Sequence, residues 1–224
     1  MISQMRILLL LVSWALPAQA LAADPIAVLE RRELRLEAGP ESTTHALRLT
    51  LVYFKEGGWA PEAIVSAASE IARILGQCGL ALAQAELVRL DAPARYRYYL
   101  TPVSRELARA APMRKPAIYF VIDTRQRPAF DAEAIGRGNS GARPELADTV
   151  WVAHGTRDLG IVLAHEIAHV LMDSGEHSEE AGNLMRDETA AENTRLSDAQ
   201  CIRLRAVGTA NGLLSPTTPG ARLR

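Results

Sequence analysis

Charge imbalance, cysteine, lysine and repetition are all scarce in this 224-residue chain. With 25 Lys+Arg against 26 Asp+Glu, the net charge is close to zero. An electrostatic nucleic-acid binder needs a clear basic excess, so that class is excluded. Two cysteines are too few for a disulfide scaffold, and a chain of this length buries a core without staples. The only lysines are Lys55 and Lys115, a bias of composition that carries no chemistry. No internal repeat, collagen-like period or low-complexity tract occurs. An apolar content of 48% excludes disorder, and beyond the N-terminus no apolar run approaches the length of about 20 residues that a membrane span needs.

The first 23 residues read as an export signal. Arg6 supplies positive charge, Ile7–Leu16 is apolar, Pro17 breaks the run, and Ala18-Gln19-Ala20 then Ala20-Leu21-Ala22 offer small-x-small cleavage patterns. The run is too short to span a bilayer. The expectation is a cleaved signal and a slightly acidic mature protein, exported to the periplasm or beyond, with no membrane span. An oxidising compartment permits Cys78 and Cys201 to pair, closing a long loop that would stabilise by about 4–5 kcal/mol in the chain-entropy model. Two separately buried thiols are the alternative.

Residues 24–45 are charged and weakly periodic, an N-terminal extension partly helical or strand-like. Arg48–Phe54 alternates as a strand. Pro61 opens a helix whose apolar stripe is Ile64, Ala67, Ala68, Ile71, Ile74 and Leu75, ended by Gly79. Strands are expected over Leu80–Leu90, Ala117–Ile122 and Thr149–Ala153, with a short helix around Val103–Ala111. Residues 124–148, rich in glycine and proline, read as loop with one edge strand. This order predicts an α+β domain over 46–214, with a mixed sheet, a central helix and a C-terminal helix, followed by a flexible tail at 215–224.

The central helix, expected over Gly155–Asp173 with Thr156 or Asp158 at its start, contains His165-Glu166-Ile167-Ala168-His169. Positions i and i+4 of a helix share one face, so both imidazoles reach a single ion. Glu166 is placed to act on water at that ion as a general base. Gly175 offers a left-handed residue to end the helix and turn the chain back, which would bring His177 to the metal as third ligand. Met185 follows eight positions later, within Asn183-Leu184-Met185.

His165-Glu166-x-x-His169, a glycine turn, His177 and then Met185 resemble the metzincin metallopeptidases, matrixin-like branch, whose Met-turn underlies the zinc. Arg195–Gln200, with Ser197 as cap, resembles the start of that family's C-terminal helix. The family pattern HExxHxxGxxH is not met: Met172 stands where glycine is usual and the third histidine comes later, giving HExxH-x7-H. The resemblance implies a zinc-dependent endopeptidase acting on peptide or protein. His165, His169 and His177 would be its metal ligands and Glu166 its general base, with an extended substrate along an edge strand somewhere in 129–148.

Other readings stay open. In gluzincins the third ligand is a Glu about 20 residues past the second His, and Glu188 and Glu192 fall near that distance, on a stretch that can be helical. A zinc-binding module of this fold with little turnover is another, as is hydrolysis of a non-protein amide such as a cell-wall crosslink. Asp173 reads as a helix cap or a contact behind the ligands, Arg186 as a candidate for the oxyanion, and His154 as a residue lining the cleft. His45 is assigned no role, and Trp59 and Trp151 are read as packing.

Overall fold

The computed structural model describes residues 25–36, 43–124, 134–137 (backbone only) and 143–217. The expected signal segment 1–23 lies outside the described residues, as does 218–224 of the expected tail.

A long central strand, β2 (His45–Phe54), organises two cores. Successive side chains of a strand point to opposite faces. Leu47, Leu49, Leu51 and Tyr53 therefore enter one apolar cluster, and Val52 and Phe54 enter the other. β2 pairs in parallel with β3 (Leu80–Asp91) on one side and with β5 (Ala117–Val121) on the other, and β5 pairs in parallel with β8 (Thr149–Ala153). All five residues of β5 are buried, as its unbroken apolar run predicts. Three antiparallel strands complete the sheet. They are β1 (Ala27–Leu34) on β3, β7 (Ala134–Arg137) on β8, and β9 (Leu214–Pro216) on the start of β2. The order is β1-β3-β2-β5-β8-β7, with β9 beside β2. A two-stranded ribbon, β4 (Tyr98–Tyr99) with β6 (Asp123–Thr124), lies apart.

Helix α2 (Thr101–Ala110) covers one face with Tyr96, Tyr99 and Leu107, where Tyr119 stacks on Trp151 with ring centroids 4.1 Å apart. The other face carries α1 (Pro61–Gly76), α3 (Leu159–Met172) and α4 (Asp198–Ala210). The result is an α+β fold with a mixed sheet, a central helix and a C-terminal helix, as the element order predicts. Helix α1 buries the stripe Ile64, Ala67, Ala68, Ile71, Ile74 and Leu75. It meets α3 closely: a Cβ at Gly160 would stand 2.4 Å from Cβ of Glu70.

Residues 24–45 were expected as an N-terminal extension, partly helical or strand-like, and Ala27–Leu34 is a strand, paired with β3 and exposed along almost its whole length. Residues 215–224 were expected to be flexible, yet Ser215 and Pro216 belong to β9, and Thr217 donates its N–H to the Thr44 carbonyl at 2.9 Å. Leu213 and Leu214 are both buried, and Leu214 pairs with Leu47, so the chain is pinned to the core where β9 begins.

Cys78 and Cys201 are bonded, with Cα atoms 4.9 Å apart, and so join the end of α1 to the first turn of α4. Around them the Gln77 amide donates to the Thr194 carbonyl at 2.9 Å and its oxygen accepts from Leu196 N–H at 2.8 Å. Arg205 donates to the Cys78 carbonyl at 2.7 Å. Among the described residues no helix is long and apolar enough to cross a membrane. Because the bridge closes a loop of sequence separation 123, replacing both cysteines with alanine is expected to lower the unfolding free energy by about 2–5 kcal/mol, measured by chemical denaturation.

Candidate metal centre

Helix α3 is buried on nearly every side, which makes it a core helix and not an amphipathic surface one. His165 and His169 lie one turn apart along it. His165 is only 4% exposed and Glu166, beside it, 9%. The helix begins at Asp158, which holds a left-handed conformation at the cap position without a side-chain capping bond, while Thr156 donates to the Ala153 carbonyl at 2.8 Å. Asp158 thus holds the expected cap position without capping by its side chain.

The helix end also departs from expectation. The left-handed residue is Asp173 (φ 46°), not Gly175. Aspartate tolerates this region better than most residues, and the cap follows from the helix stopping at Met172, with Ser174 N–H donating to the His169 carbonyl at 3.2 Å. That reversal puts the Ser174 carbonyl over the ring of His169, whose Nδ1–H donates to it at 2.6 Å. His165 Nδ1–H donates in the same way to the Leu184 carbonyl at 2.7 Å. A carbonyl only accepts, so in both rings the proton sits on Nδ1 and the Nε2 lone pair is bare.

Those bare nitrogens converge. Nε2 of His169 lies 2.9 Å from Nε2 of His165 and 3.2 Å from Nε2 of His177. Neither helix imidazole has a proton to offer the other, so the close His165–His169 approach is two lone pairs meeting, not a hydrogen bond. Three imidazole nitrogens brought to one point are a donor set for a cation. Tetrahedral nitrogens about 2.05 Å from zinc would lie about 3.3 Å apart, close to what is found here. Burial lowers the pKa of His165. Burial, together with the adjacent His165 ring, brings His169 down to about 4, so both stay in the neutral, ligating form at ordinary pH.

Three of the residues expected at the metal therefore come together: His165, His169 and His177 form a group able to hold an ion. Glu188 and Glu192 are not members of it. They are exposed, on chain that turns without forming a helix. Arg186 donates to the Glu179 carbonyl at 3.2 Å. His154 contacts the Gly58 carbonyl through Nε2 at 3.2 Å and packs edge-on against Trp59. Trp59 donates to the Val121 carbonyl at 2.9 Å.

Met185 is buried beside the histidines, and a cavity of about 290 Å³ bounded by Met172, Met185, Gln200 and Arg203 adjoins His177. The turn that carries Met185 is clamped by a reciprocal amide pair. Asn183 Nδ2 donates to Gln200 Oε1 at 3.0 Å, and Gln200 Nε2 donates to Asn183 Oδ1 at 3.1 Å. Asn183 Oδ1 also accepts from Met185 N–H at 2.9 Å, while Ser197 and Gln200 make a capping box at the start of α4. The turn in this way holds the Leu184 carbonyl against His165. Sequence reasoning assigned no role to Asn183, to the two carbonyls or to Asp187, whose Oδ1 lies 3.4 Å from His177 Nδ1. Asparagine beside a buried methionine was a visible signal, but backbone carbonyls have none.

No protein-family model matches this chain, and no curated protein matches it. Among solved structures it is similar to metalloproteinase-II from Bacteroides fragilis, at 17% sequence identity and a TM-score of 0.48 over 79% of this chain. The chain spans 57% of the length of that protein.

Asn183→Ala would leave the Met185 amide without its acceptor, and is expected to cost about 2 kcal/mol in chemical denaturation. Gly175→Ala, where an added Cβ meets nothing within 4 Å and φ is negative-sided, is expected to change stability by less than about 0.5 kcal/mol.

Proposed function

We propose that this chain is an exported zinc-dependent metalloendopeptidase of the metzincin type, with His165, His169 and His177 holding the metal and Glu166 as general base. The observation that carries the proposal is the convergence of three Nε2 atoms, two of them locked in the ligating tautomer, next to a buried carboxylate on the same helix turn. Zinc supplies Lewis acidity, polarising a carbonyl and making water a stronger acid near neutral pH.

The chain's own residues supply the rest. Glu166 accepts a proton from the attacking water, whose oxygen bonds to the peptide carbonyl carbon. It then returns that proton to the leaving nitrogen as the C–N bond breaks. Burial of Glu166 and His165 keeps the proton transfer away from bulk solvent. Substrate is taken to lie extended along β7, which ends the sheet opposite β1 among the described residues and packs against α3. Residues 1–23 are proposed to be a cleaved signal, and the Cys78–Cys201 bridge is in keeping with an oxidising compartment.

Metal analysis and a mixed peptide library test the proposal. The mature protein is expected to bind one zinc and cleave peptides, and chelation to abolish cleavage. Glu166→Ala should keep its zinc and lose at least about 10²-fold in kcat/KM. Zinc bound by a wild type that cleaves nothing would reject the peptidase assignment, and unchanged zinc affinity in His177→Ala would reject it as third ligand.

A further inference from the structure

His177 differs from its two partners. His165 and His169 stand on a buried helix and give their Nδ1–H groups to backbone carbonyls. His177 stands on the loop beyond α3 with its side chain 36% exposed, and the group facing its Nδ1 is the Asp187 carboxylate, with Oδ1 at 3.4 Å. Backbone bonds bring the two together. Ser178 N–H donates to the Met185 carbonyl at 2.7 Å, which ties the residue after His177 to the chain just before Asp187. The Arg186 guanidinium reaches the Glu179 carbonyl at 3.2 Å, a second tie between the chain just after His177 and the chain just before Asp187. Asp187 has a short side chain, and its place opposite His177 is set by this backbone pairing.

An exposed imidazole turns about its Cβ–Cγ bond and exchanges tautomers, and only the form protonated on Nδ1 offers Nε2 as a ligand. We propose that Asp187 is a positioning residue for His177, its carboxylate accepting Nδ1–H so that the bare Nε2 faces those of His165 and His169. This assignment rests on the three histidines being a metal centre. With 87% of the Asp187 side chain exposed, the pair adds little to folding. Its effect falls on metal affinity.

The test is zinc affinity of the full chain by competition with a chromophoric chelator, for the wild type, Asp187→Ala, Asp187→Asn and His177→Ala. Imidazole ¹⁵N shifts and the thermal midpoint of the metal-free proteins are measured alongside. Asp187→Ala is expected to bind zinc about tenfold more weakly and to show mixed tautomers at His177. Asp187→Asn, which keeps an acceptor oxygen, is expected to recover most of the affinity, and the metal-free midpoints to coincide. If the wild type binds tightly and His177→Ala does not, an Asp187→Ala affinity within twofold of wild type overturns this inference alone. So does an equal loss in Asp187→Asn, or a fall in the metal-free midpoint that tracks the loss of affinity. A wild type that binds no zinc overturns the metal centre, and this inference with it.

Discussion

Two hydrogen bonds from imidazole Nδ1 to backbone carbonyls organise the functional half of this molecule. Each fixes a tautomer, and a fixed tautomer fixes where the lone pair points. Because the acceptors are the carbonyls of Ser174 and Leu184, the site depends on two pieces of backbone: the reversal after α3 and the turn that carries Met185. Much of the surrounding architecture serves to hold those two carbonyls still. The left-handed Asp173 aims the first, and the Asn183–Gln200 amide pair aims the second.

Burial supplies the electrostatic half of the same device. A helix covered on nearly all sides disfavours the imidazolium form, so His165 and His169 are held neutral, the form able to bind a cation. The cost of burying polar rings is offset by giving each Nδ1–H a carbonyl. Where burial thins, at His177, a carboxylate stands in for the carbonyl. The disulfide and the Gln77 contacts act at a distance from the histidines. They anchor the start of α4, whose Gln200 reaches back to the Met185 turn.

The strands and helices with clear periodicity were legible before any coordinates, and so was the HExxH pair, since an i, i+4 spacing has one geometric meaning on a helix. Features set by contact between distant segments were not. The outer strand Ala27–Leu34 is charged and exposed, and only β3 makes it a strand. Gly175 looked like the turn residue because glycine is the usual one, yet the left-handed position is Asp173, chosen by where burial of Met172 ends the helix. Glu188 and Glu192 had a ligand's spacing but lie exposed on chain that is not helical.

Local spacing alone thus marked His165, Glu166 and His169 as the candidate chemistry-bearing residues, and made His177 and Met185 their expected companions. Spacing along one helix is geometry written in the chain. Whether His177 returns to the other two, and which groups hold each ring, was decided only in three dimensions. The partners are two backbone carbonyls, an aspartate and an amide pair, brought in by hydrogen bonds between segments that the order of residues leaves far apart.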